Sequence, residues 1–406
     1  MRLGEWVRSV RGAIAFILLA SSTCAQFPPN QKLSAEDEHE FTKELKRLQT
    51  LLSTANDRGA IELQIANTYA AGGQFSEALR WLRKVVAANL GFDPSRDPDF
   101  AKLQPTAEFK SIVDEVRRQT PPVHNSRLIT TLGTRDVRPE SIAFDVRRKA
   151  FLLGNAARSE LVECSLRGDC HNFVMPKAGE RGYVLGIKID SARGEVWATN
   201  NTPSAASLRC YDLETGQLQR NASIQGKHVF NDLAISSTGT VYVSDTAEGS
   251  VYQLPSRTTA LQRMAPQHKF RAANGIAISA NGTLLYVSTW GDGIDVIDLP
   301  SGAVMPMIHP RDVCLAFIDG LYAIQGSLIA IQNGPMLPRI VELGLSKSQR
   351  QILAMKVLER RNQAFDGITT GVIVRNNLYY VANPQTDKER DADLRPLQVF
   401  SVRIDR

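Results

Sequence analysis

The stretch Ala273-Asn274-Gly275-Ile276-Ala277-Ile278-Ser279-Ala280-Asn281-Gly282-Thr283-Leu284-Leu285-Tyr286-Val287 decides how this chain is read. Two short apolar runs flank Ala280-Asn281-Gly282, and Asn-Gly supplies the backbone geometry that a tight hairpin needs. Ahead of the first run stands Asn274, a side chain with an oxygen to offer. The same arrangement returns along the chain at Pro139-Glu140-Ser141-Ile142, Val184-Leu185-Gly186-Ile187, Phe230-Asn231-Asp232-Leu233, Ile318-Asp319-Gly320-Leu321 and Phe365-Asp366-Gly367-Ile368. Counted on the second residue of each, the steps are 45, 46, 43, 45 and 47. Such a period marks an array in which every repeat is one supersecondary unit. Second strands (Val196-Trp197-Ala198, Val241-Tyr242-Val243) and third strands (Val251-Tyr252-Gln253-Leu254, Ile294-Asp295-Val296-Ile297) fill each repeat towards four short strands, the content of a propeller blade.

The last repeat runs out of chain after its third strand, over 397–404, while the extended run 127–132 is free to supply the fourth. Pairing the two ends would close the ring and remove an exposed sheet edge. The expected fold is therefore mainly β: a six-bladed β-propeller over 127–406, preceded by a small α-helical domain. A closed ring gathers equivalent loops at one end of its axis. Glu140, Asn231, Asn274, Asp319 and Asp366 should then converge, with apolar Leu185 as the exception. Carboxylates and amide carbonyls together are ligands for a hard cation.

Upstream the hydrophobic period is helical. Phe41, Leu45, Leu48, Leu51 and Leu52 follow a helical stripe behind the acidic run Glu36-Asp37-Glu38, with Ser34 as its N-cap. Tyr69, Gly73, Phe75 and Ala78 then match a tetratricopeptide-like helical pair, in which small residues let two helices approach. Thr120-Pro121-Pro122-Val123-His124-Asn125-Ser126 breaks that pattern. The expected boundaries are a helical domain over 30–120, a linker over 121–126 and the propeller thereafter. At the extreme N-terminus, Arg2, Arg8 and Arg11 precede an apolar stretch over 12–20 and the small residues Ser21-Ser22-Thr23-Cys24-Ala25, the layout of a secretory signal peptide. Export to a periplasm or the medium is expected, with lipid anchoring at Cys24 as the lesser alternative.

With 43% hydrophobic and 22% charged residues among 406, the composition is that of an ordinary globular protein. The net charge of +6 has no clustered Lys/Arg run behind it, which excludes a nucleic-acid footprint. Beyond Cys24, Cys164, Cys170, Cys210 and Cys314 are read as free thiols, although Cys164 and Cys170 flank a turn and could face each other. The histidines form no metal-ligand pair by spacing.

The strings Pro139-Glu140, Asn231-Asp232-Leu233, Asn274-Gly275-Ile276-Ala277-Ile278-Ser279 and Asp319-Gly320 resemble those of the gluconolactonase/regucalcin (SMP-30-like) propeller superfamily over roughly 130–404. The resemblance implies one divalent metal at the channel mouth, held by Glu140, Asn274 and Asp319, with Asn231 joining the metal or the substrate. Ca²⁺ is the first expectation, and Mn²⁺, Mg²⁺ or Zn²⁺ the alternatives. It further implies hydrolysis of a small-molecule lactone or related ester. Asp366 is the first candidate for the carboxylate that takes a proton from water, Asp232 the second. By position alone His228, three residues ahead of Asn231, is a candidate to line the substrate pocket, with a surface or hydrogen-bonded structural histidine as the favoured alternative. Two departures stand out: Ser141-Ile142 follows Glu140 where the family carries Gly-Pro, and Leu185 offers no polar contact. The rival reading is a non-catalytic exported scaffold with a structural metal and a helical segment that binds a protein partner. A metal-free propeller of the strictosidine-synthase type is weaker, because Glu140 and Asp319 are both present.

Overall fold

The structure, a computed structural model, describes residues 35–55, 57–134, 136–388 and 393–404. The leader expected over 1–25, Cys24 with it, and the Ser34 cap lie outside them. Among the described residues no helix is long and apolar enough to cross a membrane.

The strands form six four-stranded sheets arranged as a closed propeller. In blades one to five, four consecutive strands run antiparallel from the inner to the outer edge. Blade six takes Gly371–Val374, Asn377–Val381 and Leu397–Arg403 from the C-terminal end and Ser126–Leu132 from the N-terminal side. Ser126 faces Val402 and Leu132 faces Leu397, so no blade leaves this joint as an open edge. Second strands such as Ala150–Asn155 and Leu284–Thr289 are buried along their whole length. They are sandwiched between neighbouring blades, which is why they read as unbroken apolar runs. Trp197, Phe230, Leu233 and Val243 fill the space between blades two and three, and Tyr286, Leu315, Leu321 and Val341 that between four and five.

Among the described residues four α-helices precede the ring: α1 (Ala35–Thr54), α2 (Arg58–Ala71), α3 (Phe75–Ala87) and α4 (Ala107–Gln119). α2 and α3 form a hairpin whose turn uses Gly73 at φ +71°, a conformation glycine adopts without a Cβ penalty. Their apolar faces do not stop at one another. Leu63, Leu82, Phe92 and Phe109 share one core with Cys314, Ala316, Phe317 and Met336 of blade five. Phe317 sits edge-on to Phe92 at 6.0 Å and to Trp290 at 5.5 Å. The backbones join as well, with Leu337 N–H donating to Gly91 O at 2.9 Å and Asp93 N–H to Pro335 O at 3.1 Å. Asp57, buried at the start of α2, accepts the Leu315 N–H at 3.0 Å. The stretch 121–126, expected as a linker, is tied down: Val123 pairs with Arg360, and the Arg360 and Arg361 guanidiniums donate to the Pro121 and Thr120 carbonyls.

The cysteine reading needs correction. The last two strands of blade one pair Cys164 with Cys170 across their turn, Cα atoms 4.1 Å apart, and the two are disulfide-bonded. The hairpin register brings them together, and spacing alone could not show that. Cys210 and Cys314 are free and buried. Closing so short a loop contributes about 2 kcal/mol. Alkylation in denaturant without reductant, followed by mass analysis, should therefore label Cys210 and Cys314 and spare Cys164 and Cys170.

Candidate functional site

The six inner strands begin at one end of the channel, and hydrogen bonds from each blade to the next hold these starts level. Asn201 Nδ2 donates to Phe230 O at 2.9 Å, Thr246 Oγ1 to Ala273 O at 2.6 Å, and Ser288 Oγ to Ile318 O at 2.9 Å. Asn333 Nδ2 donates to Ile368 O at 2.7 Å, and the Thr369 and Thr370 hydroxyls to Glu140 O at 3.1 and 2.7 Å. With one exception each acceptor is the carbonyl just before a ring position; in blade one it is the carbonyl of the ring residue itself. The ring therefore reads Glu140, Leu185, Asn231, Asn274, Asp319 and Thr369.

The glycines after three of these positions are not turn residues. A Cβ on Gly186 would lie 2.3 Å from Asn231 O, one on Gly275 2.4 Å from Asp319 O, and one on Gly320 3.0 Å from Thr369 O. Inner strands crowd together here, and glycine is what lets them.

Glu140 and Asp319, two positions apart around this ring, are buried carboxylates near enough for one charge to be felt at the other. Loss of water and the charge of Asp319 push the Glu140 carboxyl well above the usual range. Burial raises Asp319 to about 6, opposed by hydrogen bonds from Asn333 and Asn274 and reinforced by the charge of Asp232. Asn333 Nδ2 holds Asp319 Oδ2 at 2.7 Å. Asn231 Nδ2 donates to Thr246 Oγ1 at 3.0 Å. Glu140 Oε2 and Asn274 Oδ1 are both buried without a hydrogen-bond partner among the described residues. Buried oxygens left bare cost about 1–3 kcal/mol each, and two like charges without a counter-ion add to that. Such a donor set fits a hard divalent cation held by Glu140, Asn274 and Asp319, with Asn231 at its side.

The two candidate proton acceptors stand differently. Asp232 is buried and meets Lys188 Nζ at 2.7 Å, while the same Oδ1 accepts the Leu233 N–H at 2.8 Å. Asp366 lies off the ring. The blade-six hairpin has the same two-residue turn as blade five, and aligning Val374 with Ile324 puts Thr369, not Asp366, at the position equivalent to Asp319. Gly367 has φ +72° and open space around it, so Asp366-Gly367 is true turn chemistry. The Asp366 carboxylate pairs with Arg395 at 2.7 Å and Lys388 at 3.8 Å. His228 packs its Nδ1 2.5 Å from Asp245 Oδ2. Asn333, Thr369, Thr370 and Lys188 were not singled out from sequence. Ile368-Thr369-Thr370 does echo Ile318-Asp319-Gly320 once hairpin turns, instead of X-Gly pairs, are aligned.

Among solved structures the chain is similar to the major Malassezia sympodialis allergen Mala s 1, with a TM-score of 0.54 and 12% identity over 70% of this chain and 96% of that one. It also matches the gluconolactonase XC5397 from Xanthomonas campestris (TM-score 0.47, 17% identity, 70% and 98% covered). A third match is a PQQ-bound aldose sugar dehydrogenase from Streptomyces coelicolor (TM-score 0.47, 16% identity, 69% and 100% covered). No protein-family profile and no curated protein sequence matches the chain. At these identities the likeness is one of fold: a six-bladed propeller, here with helices in front.

Proposed function

We propose that this chain hydrolyses a lactone or related ester with the help of one divalent cation bound by Glu140, Asn274 and Asp319, Asn231 assisting. The observation that carries the reading is the pair of buried, mutually repelling carboxylates beside two bare oxygens, Glu140 Oε2 and Asn274 Oδ1. Calcium suits this oxygen set first, with Mn²⁺, Mg²⁺ and Zn²⁺ behind it. Bound there, a divalent ion supplies polarisation of an ester carbonyl and acidification of a water. Asn333 fixes one oxygen of Asp319 by its hydrogen bond, which orients the carboxylate. Asn231, anchored by Thr246, is placed to hold the substrate's oxygen at the rim.

The proton released by water falls to Asp232 sooner than to Asp366. Asp232 adjoins the ring closely enough for its charge to be felt at Asp319, whereas Asp366 is bound to arginine and lysine off the ring. The N-terminal layout of residues 1–25 adds export to the proposal. The scaffold reading loses ground because the apolar faces of α2, α3 and α4 are spent on blade five instead of being held open for a partner.

Calorimetric titration of the metal-stripped chain with Ca²⁺, Mn²⁺ and Zn²⁺, paired with hydrolysis of a panel of lactones, tests the proposal. Saturable binding that restores turnover is expected. Asp319→Asn should weaken binding about a hundredfold or more by removing a charged ligand. Unchanged affinity in Asp319→Asn and Glu140→Gln would sink the site. Binding without turnover would favour a structural metal.

A further inference from the structure

Blade three carries a second constellation that the ring does not use. His228 lies in the loop before the inner strand Phe230–Ile235. Asp245 ends the second strand Val241–Asp245, and Glu248 sits in the turn that leads to Ser250–Leu254. Strand register places all three at the same end of the blade. One ligand atom from each lies within 4.8 Å of the others. From His228 Nδ1 it is 2.5 Å to Asp245 Oδ2 and 3.6 Å to Glu248 Oε2. We infer that His228, Asp245 and Glu248 form a transition-metal site, of zinc type, separate from the oxygen ring.

Each ligand is oriented from behind. Asp245 Oδ1 accepts the Val229 N–H at 3.0 Å and the Glu248 N–H at 3.2 Å, which turns Oδ2 towards the imidazole. Glu248 Oε2 accepts the Tyr252 hydroxyl at 2.5 Å, and Oε1 meets Arg263 at 3.3 Å. The His228 ring stands edge-on to Tyr252 at 6.1 Å. Outer partners that fix first ligands in this way characterise metal sites.

Charge points the same way. Asp245 is fully buried and pairs with His228, and its charge is also felt at Tyr183 and Tyr252. Asp245 and Glu248 bring two carboxylates to one imidazole, and a buried charge needs balancing. A dication in place of the Nδ1 proton would serve both carboxylates. Tetrahedral zinc with bonds of about 2.0–2.1 Å spaces its ligand atoms by roughly 3.3 Å. The Nδ1 to Oε2 separation is near that value, and the Nδ1 to Oδ2 separation opens by under about 1 Å when the ion replaces the proton. Glu248 is 33% exposed, so an ion reaches the site from solvent, and water completes the coordination. One imidazole with two carboxylates selects zinc, or cobalt and manganese, over calcium. The ring, with oxygens alone, has the opposite preference.

The test is a Zn²⁺ titration of the metal-stripped full chain under saturating Ca²⁺, read by competition with a chromophoric chelator. The visible bands of Co²⁺ report nitrogen in the coordination shell. One zinc per chain should bind. His228→Ala and Glu248→Gln should each weaken it about a hundredfold, while Glu140→Gln leaves it unchanged. Far-UV circular dichroism checks folding, and Glu248→Gln decides the matter where His228→Ala does not fold. No zinc bound, parental affinity in both blade-three variants, or loss in Glu140→Gln alone would each overturn the site.

Discussion

Stripped of divalent ions, the protein should lose stability as pH rises from about 4 to about 7, and saturating Ca²⁺ should abolish that loss. The sign follows from the ring. Asp319 titrates at about 6 in the folded chain against an ordinary 3.8, and Glu140 is raised further in the same direction. In that window the native state holds more protons than the unfolded one. The stability they confer is full below the unfolded pKa and disappears as pH climbs through the folded one. For Asp319 alone the shift corresponds to roughly 3 kcal/mol, a large share of a typical folding free energy. A bound dication takes over the role of the protons, so the dependence flattens. Glu140→Gln sharpens the test, because it removes one of two repelling charges. The chelated variant should be more stable than the chelated parent at neutral pH and gain little from Ca²⁺. Urea midpoints across this pH range, with chelator or with Ca²⁺, measure all of it. A chelated protein whose stability is level or rises with pH would mean that something other than a metal balances the ring.

The ring was legible from sequence where its period was regular and illegible where it was not. Glu140, Asn231, Asn274 and Asp319 could be picked out because each stands at the start of an inner strand, and a hairpin period near 45 repeats that position. Asp366 failed for a physical reason. Asp-Gly is a dipeptide with two uses, and sequence does not say which is in play. At Asp319-Gly320 the glycine yields space to the Thr369 carbonyl of the next blade; at Asp366-Gly367 it adopts a left-handed turn. The true blade-six position, Thr369, lies 50 residues after Asp319 instead of 47. The extra residues sit in the loop between blades, where length is not constrained. The propeller rested on the repeat period, and its closure by 127–132 on a last repeat left one strand short, both of which the chain displays directly. Contacts between α2, Phe92 and blade five, and the ion pair of Lys188 with Asp232, join distant positions that no local pattern encodes.

The attachment of the helices to the ring bears directly on the site, and Phe317→Ala should expose the connection. Phe317 is buried between Phe92 and Trp290, and truncating such a side chain costs about 3–5 kcal/mol. A double-mutant cycle with Phe92→Leu should recover a coupling of about 0.5–1.5 kcal/mol from the edge-on pair. Because Phe317 has φ +59°, Phe317→Gly sheds backbone strain that alanine retains. It should be less destabilising than Phe317→Ala by up to about 1 kcal/mol. The consequence reaches further than packing. Phe317 N–H donates to Trp290 O at 2.8 Å and its carbonyl accepts the Asn333 N–H at 3.2 Å. Asn333 in turn grips Asp319, two residues along the chain from Phe317. Loosening Phe317 therefore frees both the residue that carries the ring carboxylate and the residue that orients it. Divalent-cation affinity should fall about tenfold or more, as it does when outer-shell support of a ligand is lost. Helix ellipticity and tryptophan fluorescence should still unfold in one transition, shifted together. If the helices melted first while the propeller midpoint and cation affinity stayed at parental values, the helical segment would be an appendage. Movement of all three together would make it the buttress of the loop that carries Asp319.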